Sequence, residues 1–470
     1  HRRIHSSRPD EFSDSALQTW YPWWVRKALL STEESVLHSN WVFYPVGMEM
    51  TMQPAMFLHG AMTVPLFWLD ITTANNIVMI ASFALSGLAA FLLGLYVCKS
   101  IPGALFCGFV YAFCPYKLQH IEGHFQLMAT ETLPLVALSL IRLHDKPSGR
   151  HVIWAGIWLG ITIFTDYYYF AYALLLFGFI AAYRTVTSEH RLLVIRHTVT
   201  AGLLAFAIAS PLLIPALISA TESDYALASG HEQHKADLLS PFVPSARQWL
   251  TRSLVPILDK FVNMEKVDGI EHSIYAGWPL LILCIACTRE IWARTGHPRM
   301  FLLVASCFFI LALGPHLGIN GRDTFGDPEW RIPMPGMLLM KLPLFEGARA
   351  SSRIIIVATI GLAVCAGCGL RQLLASGKTW GVRAELWTIG IVVFTALEYV
   401  IPVGQSEIRT TKGLQDIHSD PEPGIVVYVP MSPTRSAFWQ PLWGRKTLMV
   451  SLGRTDPDLF PYYWRHDAIR

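Results

Sequence analysis

Residues 76–98 read NIVMIASFALSGLAAFLLGLYVC, a run without a charged side chain that is long enough to cross a bilayer as a helix. Further apolar runs follow, and the shorter ones could be tilted or partly re-entrant. They lie near 103–119, 126–142, 152–166, 168–183, 198–218, 273–288, 300–317, 354–370 and 384–402. The sequence therefore predicts an all-α polytopic transmembrane bundle with about ten spans.

The composition agrees with a membrane protein. Of the 470 residues, 53% are hydrophobic and 15% are charged, and the mean hydropathy is +0.39. A water-soluble core and surface rarely produce such a balance. The net charge of +3 is small and scattered, so no nucleic-acid partner is expected. The eight cysteines lie almost entirely in apolar runs, which favours small buried hydrophobes over redox or zinc ligands.

The basic residues in the short connections predict the orientation, because Lys and Arg are retained on the cytoplasmic side. Alternate connections contain thirteen of them: Lys99, Arg142, Lys146, Arg150, Arg184, Arg191, Arg196, Arg289, Arg294, Arg299, Arg371, Lys378 and Arg383. The opposite short connections contain only Lys117. Segments 1–75, 219–272, 318–353 and 404–470 are therefore expected outside the cytoplasm.

This orientation divides the chain into three parts. Residues 1–75 form a first extracytoplasmic loop with interfacial helices, residues 76–403 form the transmembrane domain, and residues 404–470 begin an outer C-terminal domain. IVVYVP at 425–430 and TLMVS at 447–451 are typical of short strands, which indicates a truncated α/β domain. Because the first loop starts outside, we expect a preceding span in the intact protein, which would make eleven.

The outer segments are too aromatic to be simple linkers, and we expect them to fold over the outer ends of the spans. Segment 20–24 reads WYPWW. Trp20, Trp23, Trp24 and Trp41 suit the headgroup region, where an indole ring can bury its face and keep its N–H hydrated.

Two aspartates stand at the predicted outer surface. Asp14 lies in EFSDSALQTW at 11–20, and Asp166 lies between two apolar runs in IFTDYYYF. A carboxylate at a membrane boundary is costly unless it is solvated, paired or functional. Each of them could instead cap the helix that follows, as Asp does at helix N-termini.

Glu131, inside QLMATETLPLVAL, and Glu398, near the outer end of the last span, are intramembrane carboxylates and hence functional candidates. A hydrogen-bonded structural role fits them nearly as well. His120 and His124 in HIEGH could share a helix face and bind a metal, but Gly123 weakens a helix and no third ligand is evident. No metal site is therefore assigned.

Arg349 and Arg353, in FEGARASSR, precede an apolar span on the outer side, against the charge rule. Four residues apart at a helix start, they could present guanidinium groups to a phosphate at the membrane surface. The alternative is that they anchor the chain to lipid headgroups.

Taken together, these features resemble the bacterial polytopic members of the C-type glycosyltransferase superfamily (GT-C), most of which are uncharacterised. The resemblance covers most of the chain. It rests on SDSALQTW around Asp14, on the later outer motifs in their order, and on FWQPLWGRK after IVVYVP in the tail. Those outer motifs are FYPVG at 43–47, GHFQL at 123–127, TDYYY at 165–169 and KLPLFEGARASSR at 341–353. Ser13 stands where the family usually has Gly.

The resemblance implies a membrane enzyme that moves a sugar from a polyprenyl-phosphate-linked donor to a lipid, glycan or protein acceptor, at the outer face of the bacterial cytoplasmic membrane. Asp14 would be the catalytic base or would help to hold a divalent ion, and no other cofactor is implied. His124, Asp166, Glu131, Arg349 and Arg353 would bind the substrate.

The alternative is a non-catalytic transporter or flippase of lipid-linked saccharides. Such a protein should line a path at mid-depth with polar groups, whereas the polar groups here gather at the outer ends.

Overall fold

The computed structural model describes part of the chain. The described residues are 3–4, 14–51, 53–222, 234–268, 271, 274–293, 296–342, 345, 350–379, 382–403, 406–407, 412–421, 424–426 and 440–447. For residues 14–17 and 122, among others, the structure describes the backbone but not the side chain.

The described residues are mostly helical. The helices are α1 Asp14–Leu30, α2 Phe57–Met62, α3 Ile71–Cys98, α4 Ile101–Ala112, α5 Pro115–Gln119, α6 Thr132–Asp145, α7 Gly149–Ile161, α8 Tyr167–Thr187, α9 Arg191–Glu222, α10 Val255–Leu258, α11 Met264–Val267, α12 Trp278–Ala293, α13 His297–Ala312, α14 Gly336–Leu339, α15 Ile355–Ala375, α16 Ala384–Tyr399 and α17 Lys412–Ser419. The two-residue strands are β1 Arg3–Ile4, β2 His38–Ser39, β3 Met48–Glu49, β4 Lys378–Thr379, β5 Val382–Arg383 and β6 Ser406–Glu407, paired antiparallel as β1–β6, β2–β3 and β4–β5.

Local sequence explains where the long helices begin and break. Asp70 caps α3 by accepting the Thr73 amide at 3.2 Å, and Ser148 caps α7 in the same way at 3.4 Å. The predicted span 103–119 is broken between α4 and α5, where Pro115 cannot donate a backbone hydrogen bond. The two helices together still form one apolar stretch, Ile101–Gln119, that is long enough to cross a membrane.

Each of the ten predicted spans contains a helix, but the helices differ in length. Within the described residues, six helical stretches are long and apolar enough to cross a membrane: Ile71–Cys98, Ile101–Gln119, Phe125–Asp145, Tyr167–Thr187, Arg191–Ser219 and Ser351–Ala375. Gly149–Phe164 and His297–Ala312 are apolar but shorter. An integral membrane helical bundle is therefore present, and the number of ten or eleven spans stays a prediction.

Helix α15 lies at the centre of the bundle. Almost every side chain from Ile355 to Leu370 is buried, on all faces of the helix. It crosses α4 closely, since a Cβ on Gly103 would meet the Gly367 carbonyl oxygen at 2.4 Å. Small residues at a crossing let two backbones approach where no hydrophobic effect drives association.

The alternate connections gather at opposite ends of the bundle, as the charge pattern predicts. At one end, the Asp145 carboxylate accepts hydrogen bonds from Arg184 at 2.8 Å and from His297 at 2.7 Å. These residues come from three of the connections assigned to the cytoplasm. At the other end, segments 219–272 and 318–353 are joined by a Lys235–Asp323 ion pair of 3.1 Å. Which end faces the cytoplasm stays a prediction.

The aromatic part of the first outer segment packs inside the protein. Trp20 and Trp24 are fully buried against a cluster that includes Ile163 and Leu212, at the ends of the spans. The Trp20 indole N–H donates to Gln440 at 2.8 Å. Placing these two rings among lipid headgroups was therefore wrong, because protein groups cover both rings and supply the acceptor for the Trp20 N–H.

The segment beyond α16 also contacts the first outer segment. The Thr447 amide donates to the Trp41 carbonyl at 2.9 Å, and Val426 and Thr447 form a parallel β-bridge. The bridge joins the two stretches that the sequence predicts as strands, while the α/β domain itself stays a prediction.

Candidate active site

Four residues that are distant in sequence form a charged cluster at the end of the bundle predicted to be outside: His120, His124, Glu271 and Arg353. Arg353 binds the Glu271 carboxylate with two nitrogens, Nε at 2.9 Å and Nη2 at 2.5 Å. Such a fork matches the carboxylate in geometry as well as in charge. The guanidinium also lies over the Tyr168 ring, with Cζ 5.2 Å from the ring centroid.

The two histidines approach the same carboxylate. Nε2 of His120 lies 3.6 Å from Glu271 Oε2, and Nε2 of His124 lies 3.7 Å from Oε1, both beyond hydrogen-bond length. Nδ1 of His120 donates to the Tyr116 carbonyl at 2.7 Å, which turns Nε2 toward Glu271. The carboxylate is therefore surrounded by three nitrogen-bearing side chains.

Burial and charge set the protonation of two members in opposite ways. Burial opposes ionisation of Glu271, but contact with His120 and Arg353 outweighs it and holds the pKa of the carboxyl well below its usual range. Burial, with the nearby His120 and Arg353, lowers the pKa of His124 to about 3. At neutral pH, Glu271 is an anion and His124 a neutral base.

The start of α15 adds a favourable field for an anion. A turn of 3-10 helix at Ser351–Ile354 leads directly into α15, so Arg353 stands at a helix N-terminus. The partial positive charge there stabilises anions within about one turn. The Ser352 hydroxyl also donates to the Glu271 carbonyl, which fixes the two segments together.

Asp166 adjoins the cluster and also caps a helix. Its Oδ1 accepts the Tyr168 amide at 2.7 Å at the start of α8, and only 5% of the residue is exposed. The capping role predicted as an alternative is therefore present. A substrate-binding role for Asp166, close to the Tyr168 ring that covers Arg353, stays a proposal.

Glu131 lies in a second set of contacts, the buried polar network of His59, Ser82, Ser86, Lys117, Thr130 and Glu131. Its carboxylate is 3.0 Å from His59 Nε2 and accepts the Ser82 hydroxyl at 2.9 Å. Lys117, fully buried, donates to Ser86 at 2.8 Å. Both Glu131 oxygens thus have protein partners. Buried polar side chains with partners of this kind can serve a structural role.

Glu398 has a clear local partner. Fully buried at the end of α16, it accepts the Tyr275 hydroxyl and the Trp278 amide, the latter at 3.1 Å. Trp278 is the first residue of α12, so this carboxylate caps that helix from another span.

An apolar cavity of about 190 Å³ opens beside the charged cluster, among α12, α13 and α15. It is lined by Cys114, Pro115, Tyr116, Pro241, Phe242, Ile274, Tyr275, Ala276, Leu280, Leu281, Leu302, Ala305, Ser306, Phe309, Ile355, Ala358, Thr359, Leu362 and Tyr399. Hydrocarbon side chains dominate this lining, which suits an apolar ligand.

Two predicted site residues cannot be placed in this geometry. Asp14 begins α1, but its side chain lies outside the described residues, and so does all of Arg349. His124 and Arg353, by contrast, come together through Glu271. Glu271 was missed in the sequence, although it precedes a span at the predicted outer side, as Asp166 does.

No group of three metal-ligating side chains within the described ranges is arranged to hold an ion. Glu271 could complete a set with His120 and His124, but Arg353 already occupies both of its oxygens. The cluster therefore holds an anion against a guanidinium.

Fold and site define a polytopic α-helical membrane protein that collects acidic, basic and imidazole groups at one end of its bundle, next to an apolar cavity. The chain belongs to the family described as "Domain of unknown function (DUF6311)", whose family model matches residues 63–394. A comparison with curated proteins finds no match.

Among solved structures, the chain is similar to the archaeal oligosaccharyltransferase AglB from Archaeoglobus fulgidus in complex with an inhibitory peptide and a dolichol-phosphate. The TM-score is 0.48 at 12% identity, over 92% of this chain and 60% of that chain. ArnT from Cupriavidus metallidurans bound to undecaprenyl phosphate gives a TM-score of 0.47 at 14% identity, over 99% and 85%. The chain thus spans about 60% of the length of the oligosaccharyltransferase. Neighbours of this kind belong to the class that the sequence resembles, but the likeness is too distant to transfer an activity or a residue role.

Proposed function

We propose that the chain transfers a sugar from a polyprenyl-phosphate-linked donor to an acceptor at the outer face of the bacterial cytoplasmic membrane. The observation that carries the proposal is the junction between the charged cluster and the apolar cavity. A lipid phosphate has the two parts that such a junction fits, an anionic head and a hydrocarbon tail.

Two chain segments supply both parts of the junction. Arg353 belongs to the cluster, and Ile355, two residues later, lines the cavity. Glu271 belongs to the cluster, and Ile274 lines the cavity. A lipid with its phosphate near Arg353 would then have its tail among apolar side chains, where burial of hydrocarbon is favourable.

The proposed chemistry uses few groups. Asp14 accepts the proton of an acceptor hydroxyl while that oxygen attacks the sugar carbon, and the bond from this carbon to the phosphate oxygen breaks. The electron pair leaves with the lipid phosphate. Arg353, with Arg349, neutralises the departing charge, and His124 and Asp166 line the site. A positioned base contributes about 10²–10⁴-fold in rate.

The test measures transfer of a radiolabelled sugar from a polyprenyl-phosphate donor by the full-length protein in proteoliposomes. Asp14→Asn should abolish transfer and preserve expression and thermal stability. Arg353→Met should mainly weaken donor binding. Asp259→Asn, an exposed site in segment 219–272, is the matched control and should transfer normally. Normal transfer by Asp14→Asn would leave the capping role as its better account.

The same vesicles separate transfer from transport. A flippase would move the lipid-linked saccharide between leaflets with its sugar–phosphate bond intact, whereas a transferase releases polyprenyl phosphate. Recovery of only the intact donor, now in the opposite leaflet, would reject the enzyme and favour the transporter.

A further inference from the structure

The ion pair between Arg353 and Glu271 occupies the place that the proposed function gives to the lipid phosphate. Both carboxylate oxygens face the guanidinium, at 2.9 and 2.5 Å. A phosphate could not take the same fork while the carboxylate stays there. We infer that Glu271 is a displaceable counter-anion, which leaves Arg353 when the donor binds and selects the singly charged donor over the doubly charged product. This inference rests on the proposed function.

The surroundings offer Glu271 a second position. His120 and His124 point their Nε2 atoms at the carboxylate from 3.6 and 3.7 Å. A shift of about one ångström toward His124, in the tautomer with its proton on Nε2, would bring an oxygen to hydrogen-bond length. The carboxylate can therefore leave Arg353 without losing every partner, which keeps the cost of displacement small.

The two members of the pair differ in exposure. The side chains of Glu271 and His124 are 17% and 27% exposed, whereas those of Arg353 and His120 are 9% and 1% exposed. The carboxylate and His124 are thus more accessible than Arg353, whose guanidinium the carboxylate covers with both oxygens. Glu271 must move before the guanidinium is reached.

The charge of the lipid phosphate then decides whether the donor or the product binds more tightly. A sugar phosphodiester carries one negative charge, the same as the carboxylate that it replaces. The polyprenyl phosphate left after transfer is a monoester, with a charge of about −1.5 to −2 near neutral pH. With Glu271 still nearby, the second charge is repelled more strongly than the first. The carboxylate therefore favours donor binding and product release.

The test compares two lipids on the purified full-length protein in nanodiscs, by calorimetry: a short-chain polyprenyl phosphate and the glucosyl diester of the same lipid. In the wild type, the diester should bind at least as tightly as the monoester. Glu271→Gln should tighten binding of the monoester by roughly tenfold or more, and that of the diester by less. Glu265→Gln, an exposed carboxylate nearby, is the control and should leave both affinities unchanged.

The outcomes are distinct. If the wild-type protein binds the monoester more tightly than the diester, as a simple cationic site would, the inference is contradicted. This comparison does not depend on whether the Glu271→Gln variant folds. Equal or weaker monoester binding by a folded Glu271→Gln variant contradicts it as well, and either result leaves the proposed function standing. A wild type that binds neither lipid removes the proposed function, and the inference with it.

Discussion

The coupling between Arg353 and Glu271 can be measured as a stability effect, separately from any activity. Arg353→Met keeps much of the side-chain volume but removes both hydrogen bonds to the carboxylate. Removing one member of a buried pair costs about 3–5 kcal/mol, because it leaves an uncompensated charge. Glu271 is 17% exposed and retains two imidazoles nearby, so we expect a cost at or below the bottom of that range, about 2–3 kcal/mol.

The double variant decides whether the pair acts as a unit. Arg353→Met with Glu271→Gln removes both charges, so it should cost less than the two single changes added together. The expected coupling is about 2–3 kcal/mol in a double-mutant cycle. Reversible unfolding in mixed micelles with increasing SDS would give the four free energies.

A matched control is Arg322→Met, an exposed arginine in segment 318–353, which should change stability by about 0.5 kcal/mol or less. Additive effects of Arg353→Met and Glu271→Gln would refute the reasoning, since they would mean that the two side chains are solvated separately in the membrane-bound protein.

Further predictions concern capping, pH and topology. Glu398→Ala should destabilise by about 2–4 kcal/mol in the same unfolding assay, because it strands a buried amide and a tyrosine hydroxyl, and Glu398→Gln should cost less. Folded His124 stays neutral because its pKa is lowered to about 3, whereas unfolded His titrates near 6.5. The wild type should therefore lose stability as the pH falls from about 6.5 to about 4.5, and His124→Gln should lose less over that window. In a cysteine-free background, a thiol reagent outside intact cells should label Ser253→Cys and not Lys146→Cys, both exposed positions; the reverse pattern would invert the orientation.

The helices were predictable because each depends on a continuous stretch of chain. Apolar runs located the bundle, and capping residues such as Asp166 located helix starts. The exact ends were less predictable: α9 extends over Arg191–Glu222, beyond the predicted 198–218, since the ends of a helix need less apolar sequence than its middle.

The site was predictable only in part, because its geometry depends on contacts between distant segments. His124 and Arg353 were expected to share a site. The place of Glu271 before a span marks it as a candidate, but its pairing with Arg353, more than eighty residues later, depends on the folded chain. The burial of Trp20 was missed for the same reason, since its acceptor, Gln440, lies 420 residues away. The domain boundaries at 75 and 403, and the roles of Asp14 and Arg349, stay predictions.

The contacts between residues 440–447 and the first outer segment set an order for assembly. Ribosomes deliver the first outer segment early, yet the Trp20 N–H and the Trp41 carbonyl find Gln440 only after the whole bundle has been made. Until then, the indole N–H of Trp20 and the carbonyl of Trp41 lack this partner. Completion of this end of the bundle is therefore a late step in biogenesis, because it depends on residues 440–447, which follow all the predicted spans.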